Sequence, residues 1–210
     1  MTHIVLAGDS IFDNMAYVNQ GQAVIELLTK KSNGDFKATL VAEDGAVTSD
    51  LARQFDQMPP DMTHLYISIG GNDALESAYL LAENVSTAFE AMGIFAKVVE
   101  EFQRQYRSML NNAVTRAGNI VLCSIYDSIP GYDKEPLTAL KLFNEVILRE
   151  AFAFGLPVMD LRLICEAPED YSSISPIEPS GQGGDKISDV IVNLLRQHNF
   201  STGTSTIWTR

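Results

Sequence analysis

Cysteine is scarce in this chain. Cys123 and Cys165 are the only two among 210 residues, too few for a disulfide framework. They lack CxxC spacing, and no histidine pair stands at i, i+4, so no zinc site is expected. No apolar run reaches the ~20 residues of a membrane span. Met1-Thr2-His3 leads straight into Ile4-Val5-Leu6-Ala7, too short and without the basic flank of a secretory signal. The expected location is the cytoplasm, with no membrane partner. Basic residues are outnumbered: 15 Lys+Arg against 27 Asp+Glu give a net charge of −12. Such a surface repels phosphate backbones, and no nucleic-acid partner is expected. Also missing are the Gly-x-x-x-x-Gly-Lys-Ser/Thr phosphate loop, a Gly-x-Gly-x-x-Gly after the first strand and a Gly-x-Ser-x-Gly elbow. No cofactor is implied. Linkers, internal repeats and low-complexity runs are absent, so one domain over residues 1–200 is expected, followed by a Ser/Thr-rich tail, 201–210. That tail either stands loose or docks through Ile207-Trp208.

What the chain does contain is a regular alternation. Ile4–Ala7, Lys37–Ala42, His64–Ile69, Asn119–Cys123 and Leu156–Met159 are short runs rich in Val, Ile and Leu. They are apolar on both faces, as strands of a covered parallel sheet must be. Helical periodicity fills the gaps: Gln22–Lys31, a segment from Ser49 stopped by Pro59-Pro60, Ser86–Ala117, Pro136 to Phe154, and Gly183–Gln197. In the longest of these, Phe89, Met92, Ala96, Val99, Phe102, Tyr106, Met109 and Ala113 line one face. Five strand–helix units predict an α/β three-layer sandwich with a five-stranded parallel sheet in the flavodoxin-like order 2-1-3-4-5.

Such sheets bind ligands beyond the carboxyl ends of their strands, at the switch in strand order. The segments to inspect are therefore those just after each strand. Gly8-Asp9-Ser10 follows the first. Ser10 there is either an N-cap or a nucleophile set at a helix N-terminus. Gly45 follows the second strand and offers a bare main-chain N–H; its ordinary alternative is a turn. Gly70-Gly71-Asn72-Asp73 follows the third, where Asn72 either aims its carboxamide at an oxyanion or sits in a plain Gly-Asn turn. Taken together, a hydroxyl and two donors on three successive strand ends suit attack on a carbonyl, whose oxygen becomes negative in the transition state. Tyr79, Tyr126 and Tyr132 fall on the later loops, either packing them or walling a pocket.

With these residues in place, the sequence resembles the SGNH (GDSL-type) serine esterases and acylhydrolases. Gly8-Asp9-Ser10-Ile11 is similar to that family's first block, Gly45 to its second, and Gly70-Gly71-Asn72-Asp73 to its third. The resemblance spans about residues 4–195. It implies the SGNH fold, hydrolysis of a small-molecule ester, Ser10 as nucleophile, and an oxyanion hole made by Ser10 N–H, Gly45 N–H and Asn72.

The resemblance breaks at the fourth block, Asp-x-x-His before the final helix. Here the matching stretch is Ser175-Pro176-Ile177-Glu178-Pro179-Ser180. Glu178 falls on the histidine position and Ser175 on the aspartate position. His3, His64 and His198 are all expected at the far edge of the sheet; His3 alone lies seven residues of strand, ~20 Å, from Ser10. Three accounts follow. Glu178 is the base, its pKa raised from ~4.3 by apolar neighbours. Or the cleft persists as a binding site for an acyl or carbohydrate ligand. Or Glu178 is only a loop charge. Asp9, Asp13, Asp73 and Asp160 are expected to brace loops. The catalytic set is then Ser10, Gly45, Asn72 and Glu178.

Overall fold

A computed structural model of the chain describes residues 1–209. Among them, the sheet has six parallel strands: β1 (Thr2–Gly8), β2 (Phe36–Leu40), β3 (His64–Ser68), β4 (Asn119–Cys123), β5 (Val158–Met159) and β6 (Ile207–Trp208). Their order is β2-β1-β3-β4-β5-β6. The order of the first five is as expected, but the count of five is corrected by β6. Its partner contacts are regular: Val158 N–H donates to Thr206 O at 2.8 Å and Asp160 N–H to Trp208 O at 2.9 Å. Two residues carry no readable alternation, yet they satisfy the main chain of β5, which would otherwise be an open edge.

Alternation within each strand divides the core. Ile4 and Leu6 of β1 face one side with Tyr66, Val121 and Met159. That side is covered by α1 (Val24–Ser32) and α7 (Gly181–Gln197), through Val24, Leu28, Ile187, Ile191 and Leu194. Val5 and Ala7 face the other side with Leu65, Ile67, Ile120 and Leu122. There α2 (Leu51–Asp56), α4 (Ala88–Arg116) and α5 (Lys134–Ala153) supply Leu51, Phe55, Tyr106, Leu110, Phe143 and Ile147. Each such side chain, fully buried, contributes about 1.5–3 kcal/mol. Two short helices complete the set: α3 (Gly71–Glu76) and α6 (Leu161–Ile164). No helix among the described residues is long and apolar enough to cross a membrane.

The long helix departs from expectation along its length. Thr87 caps it by accepting from Glu90 N–H at 3.1 Å, and Glu90 returns a bond to Ser86 N–H at 2.8 Å. Phe102, Tyr106, Met109 and Ala113 are buried, but Phe89 is 86% exposed and Met92 56%. The reason is length. A helix of 29 residues spans about 44 Å at ~1.5 Å per residue. A five-residue strand such as β3 spans about 17 Å. The apolar stripe therefore continues past the end of the sheet it packs on.

Strand order reverses between β1 and β3, whose ends Gly8 and Ser68 are paired in register. Gly8 has φ +125°, and a Cβ there would lie 1.7 Å from Ser68 O. Its main chain is also clamped by the buried Gln54, which accepts from Gly8 N–H at 2.7 Å and donates to Gly8 O at 2.8 Å. Gly8→Ala is expected to cost about 2–4 kcal/mol, read as a lower urea midpoint with an unchanged m-value. A midpoint within error of the wild type would show that β1 and β3 do not need this approach.

Candidate active site

Beyond Gly8 the chain turns rather than starting a helix. Phe12 N–H and Asp13 N–H both donate to Asp9 O, at 3.1 and 3.2 Å, and the first α-helix begins only at Val24. A helix N-terminus at Ser10 is thus corrected. Side chains divert the chain: Asp13 accepts from Asp44 N–H at 3.0 Å, while Asn14 accepts from Val24 N–H at 2.9 Å and donates to Pro179 O at 3.1 Å. Asp9 N–H donates to Ser68 O at 3.0 Å, tying this turn to the end of β3. Ser10 is held there nearly buried, 7% exposed.

After β3, Gly70 takes φ +115° and α3 begins at once, so Asn72 sits in a helical first turn instead of a Gly-Asn turn. Asn72 Nδ2 donates to Ala46 O at 2.9 Å. Asp73 accepts from Thr48 N–H and from its hydroxyl, both at 3.1 Å. Together they strap the loop after β2 onto α3. Gly45 lies on that loop at φ +78°, exposed, one residue before Ala46.

The segment before α7 delivers Glu178. Tyr171 and Pro179 form an antiparallel bridge, Ser172 N–H donates to Glu178 O at 2.8 Å, and Glu178 N–H to Ser175 O at 3.1 Å. The Tyr126 hydroxyl donates to Ile177 O at 2.5 Å, and its ring packs edge-on against Tyr171. Glu178 is thereby turned inward and is 4% exposed. Its Oε2 is buried with no hydrogen-bond partner. Burial is the main cause lifting its pKa to about 7; the Ser10 hydroxyl opposes the rise by hydrogen bonding, and the Asp44 charge adds to it.

Ser10, Asn72 and Glu178 line one cavity of about 270 Å³, and Asp9 lies beside them. The remainder of the wall is largely apolar, including Ile11, Leu75, Phe95, Leu140 and Phe143. Tyr126 and Tyr132 are also in this wall; Tyr79, 68% exposed, is not. Nor do Gly45, Ser175 or any of the three histidines line it. His3 bonds Asp61 and Thr39, His64 begins β3, and His198 packs on Phe200 and Trp208. Asp160 caps α6, pairs with Arg162 at 2.6 Å and accepts from the Ser124 hydroxyl at 2.8 Å, bracing the loop after β4 rather than lining the cavity. Among the described residues, no cluster of His, Cys, Asp or Glu is arranged to hold a metal ion.

Solved structures with this architecture are numerous. A lipase from a goat rumen metagenome superposes with a TM-score of 0.72 at 18% identity, over 95% of this chain and 100% of that one. A member of the lipolytic G-D-S-L family from Veillonella parvula gives 0.71 at 13% identity, over 94% and 100%. A psychrotrophic esterase from Pseudoalteromonas sp. gives 0.65 at 17% identity, over 94% and 100%. The chain has the SGNH hydrolase fold. No family model matches the sequence, and no curated protein does. In this version of the SGNH fold the cavity lies at the β1/β3 switch point, where open parallel sheets bind ligands.

The residue that sequence reasoning undervalued is Asp9. It was expected only to brace a loop, yet it is 4% exposed on the cavity wall. The available signal was its position straight after β1 and one residue before Ser10. Phe95 and Leu140 carried no such signal, because their helices read as ordinary core faces.

Proposed function

We propose that this chain hydrolyses small carboxylic esters through Ser10. One observation carries the reading: a hydroxyl after β1, a carboxamide after β3 and a buried carboxyl before α7 meet on one apolar cavity. Ser10 Oγ attacks the ester carbonyl carbon while Glu178 takes the hydroxyl proton. A base with a pKa near the working pH suits that transfer, and burial of Glu178 supplies it. The carbonyl oxygen becomes negative beside Asn72 and the Ser10 main chain, the two donors on the cavity wall, without the third donor expected from Gly45. The alcohol leaves with the proton from Glu178. Water then attacks the acyl-serine, gives a proton to Glu178, and the acid departs as Ser10 regains its hydrogen. The apolar wall receives the hydrocarbon part of the substrate. Lipases and esterases that share the fold support the reaction class.

A second reading has its own support. Asn72 spends one N–H on Ala46 O, and Gly45 is exposed outside the cavity wall. A cleft with so few committed donors suits a module that binds an acyl or carbohydrate ligand without turnover.

A p-nitrophenyl alkylphosphonate separates the two. The Pseudoalteromonas esterase is described as inhibited by monoethylphosphonate. Attack by Ser10 Oγ forms a P–O bond and releases p-nitrophenolate, adding one alkylphosphonyl group to the intact protein mass. We expect single labelling of the wild type, none in Ser10→Ala and slow labelling in Glu178→Gln. A wild type that stays unlabelled, or a label retained by Ser10→Ala, sinks the hydrolase reading.

A further inference from the structure

We propose that Asp9 is the second acid of this site: it holds its proton while Glu178 works as the base, and its ionisation in alkaline solution switches the site off. The geometry is a pair of carboxyls in an apolar cavity. Asp9 and Glu178 are each 4% exposed, and both line the cavity that holds Ser10. Among the described residues, no lysine, arginine or histidine lines that cavity. Asp9 has as partners the Ile11 N–H, at 3.2 Å, and the Ser68 hydroxyl. Glu178 has the Ser10 hydroxyl on one side and a partnerless Oε2 on the other. Two like charges in a poorly solvated space cannot both be carried cheaply, so the protons leave in sequence.

Burial raises both carboxyls, and the one bonded to the Ser10 hydroxyl is Glu178. Burial raises Asp9 to about 8, the Ile11 N–H lowers it, and the Glu178 charge raises it again, with a smaller push from Asp73. Burial raises Glu178 as well, to about 7, and the Ser10 hydroxyl opposes that rise by favouring the charged form. Other ionisable groups also face the pair. Asp44 faces Glu178 as a further negative charge, and Tyr17 is pushed up to about 12, mainly by its bond to Asp44. Tyr106, Tyr126 and Cys123, which feel the Asp9 charge from α4, the loop after β4 and β4 itself, are all held well above their ordinary values by burial. Above about pH 8 the new charge on Asp9 therefore stands beside Ser10, where the carbonyl oxygen must become negative. It opposes the transition state electrostatically.

The kinetic consequence rests on the ester-hydrolase reading; the retained proton does not. The experiment has two arms. In the first, kcat/KM for p-nitrophenyl butyrate is followed from pH 5 to 10 for wild type and Asp9→Asn, with the spontaneous hydrolysis subtracted. The wild type should give a bell, and the variant should lose the alkaline limb, raising its pH 9 to pH 7 rate ratio at least about fivefold. A purely structural role for Asp9 lowers the rate at every pH and leaves that ratio alone. In the second arm, the Asp9 carboxyl carbon is followed by NMR in 13C-aspartate-labelled Ser10→Ala protein, assigned by its loss in the Asp9→Asn double variant. It should keep its protonated position through pH 7 and move above pH 8. A resonance already moved at pH 6, or an alkaline limb that persists in Asp9→Asn, overturns the proposal. A wild type without esterase activity at any pH removes the hydrolase reading instead, and the NMR arm still decides the proton.

Discussion

Ser10→Ala lowers kcat/KM for p-nitrophenyl butyrate at least about 10³-fold, while the protein stays folded with a melt only a few degrees lower, the cost of leaving the buried Glu178 without its hydroxyl partner. The size follows from covalent catalysis. Without the hydroxyl no acyl-enzyme forms, and loss of a serine nucleophile elsewhere costs up to about 10⁶ in kcat. The smaller figure is appropriate here because no carboxylate stands behind Glu178 to orient it: Ser175 offers only its main-chain carbonyl, to Glu178 N–H. Stability should survive because Ser10 lies in a turn held by other atoms, chiefly Asp9 O and Asp9 N–H. Rates are read with enzyme at known active-site concentration. Equal rates for wild type and Ser10→Ala would mean that the serine takes no part.

Glu178→Gln should lower kcat about 10²–10⁴-fold, the usual contribution of a positioned general base. The substitution keeps the shape and removes the proton acceptor. The wild-type pH profile gives the complementary test. With its pKa at about 7, Glu178 is ionised above that value and protonated below it, so the rate should fall tenfold per unit on the acid side. A wild-type rate unchanged between pH 5 and 7 would exclude Glu178 as the base. Stability runs in the opposite direction. A carboxyl lifted above its unfolded value favours folding fully below that unfolded value, and the contribution is lost as pH rises through the folded one. For Glu178 that window extends from about 4.5 to about 7, and for Asp9 from 3.8 to about 8. The pH range that activates the site is therefore one in which both groups weaken the fold. Glu178→Gln removes one of these two contributions, so the melting temperature of that variant should fall less between pH 5 and 8 than that of the wild type.

The residues themselves specified much of this architecture. Runs such as Ile4–Ala7 and Asn119–Cys123 are apolar at nearly every position, short and rich in Val and Ile, the pattern of a strand covered on both faces. The helical periods between them then leave few ways to arrange the layers. The post-strand positions of Ser10 and Asn72 followed directly, because in a parallel sheet all the carboxyl ends face one way. Tertiary structure decided the rest. The sixth strand, Ile207–Trp208, is two residues long and has no pattern of its own; it exists because β5 presents an unpaired edge. The turn at Ser10 replaced a helix start because Asp13 and Asn14 found partners 31 and 165 residues away. Whether Glu178 was a solvated loop charge or a buried carboxyl was also undecidable from its neighbours in sequence. That depends on the Tyr171–Pro179 bridge and on Tyr126, which turn it away from water. Local pattern fixes which faces must be covered; the ionisation of a carboxyl depends on how much water remains around it, and that is set by chain segments far apart in sequence.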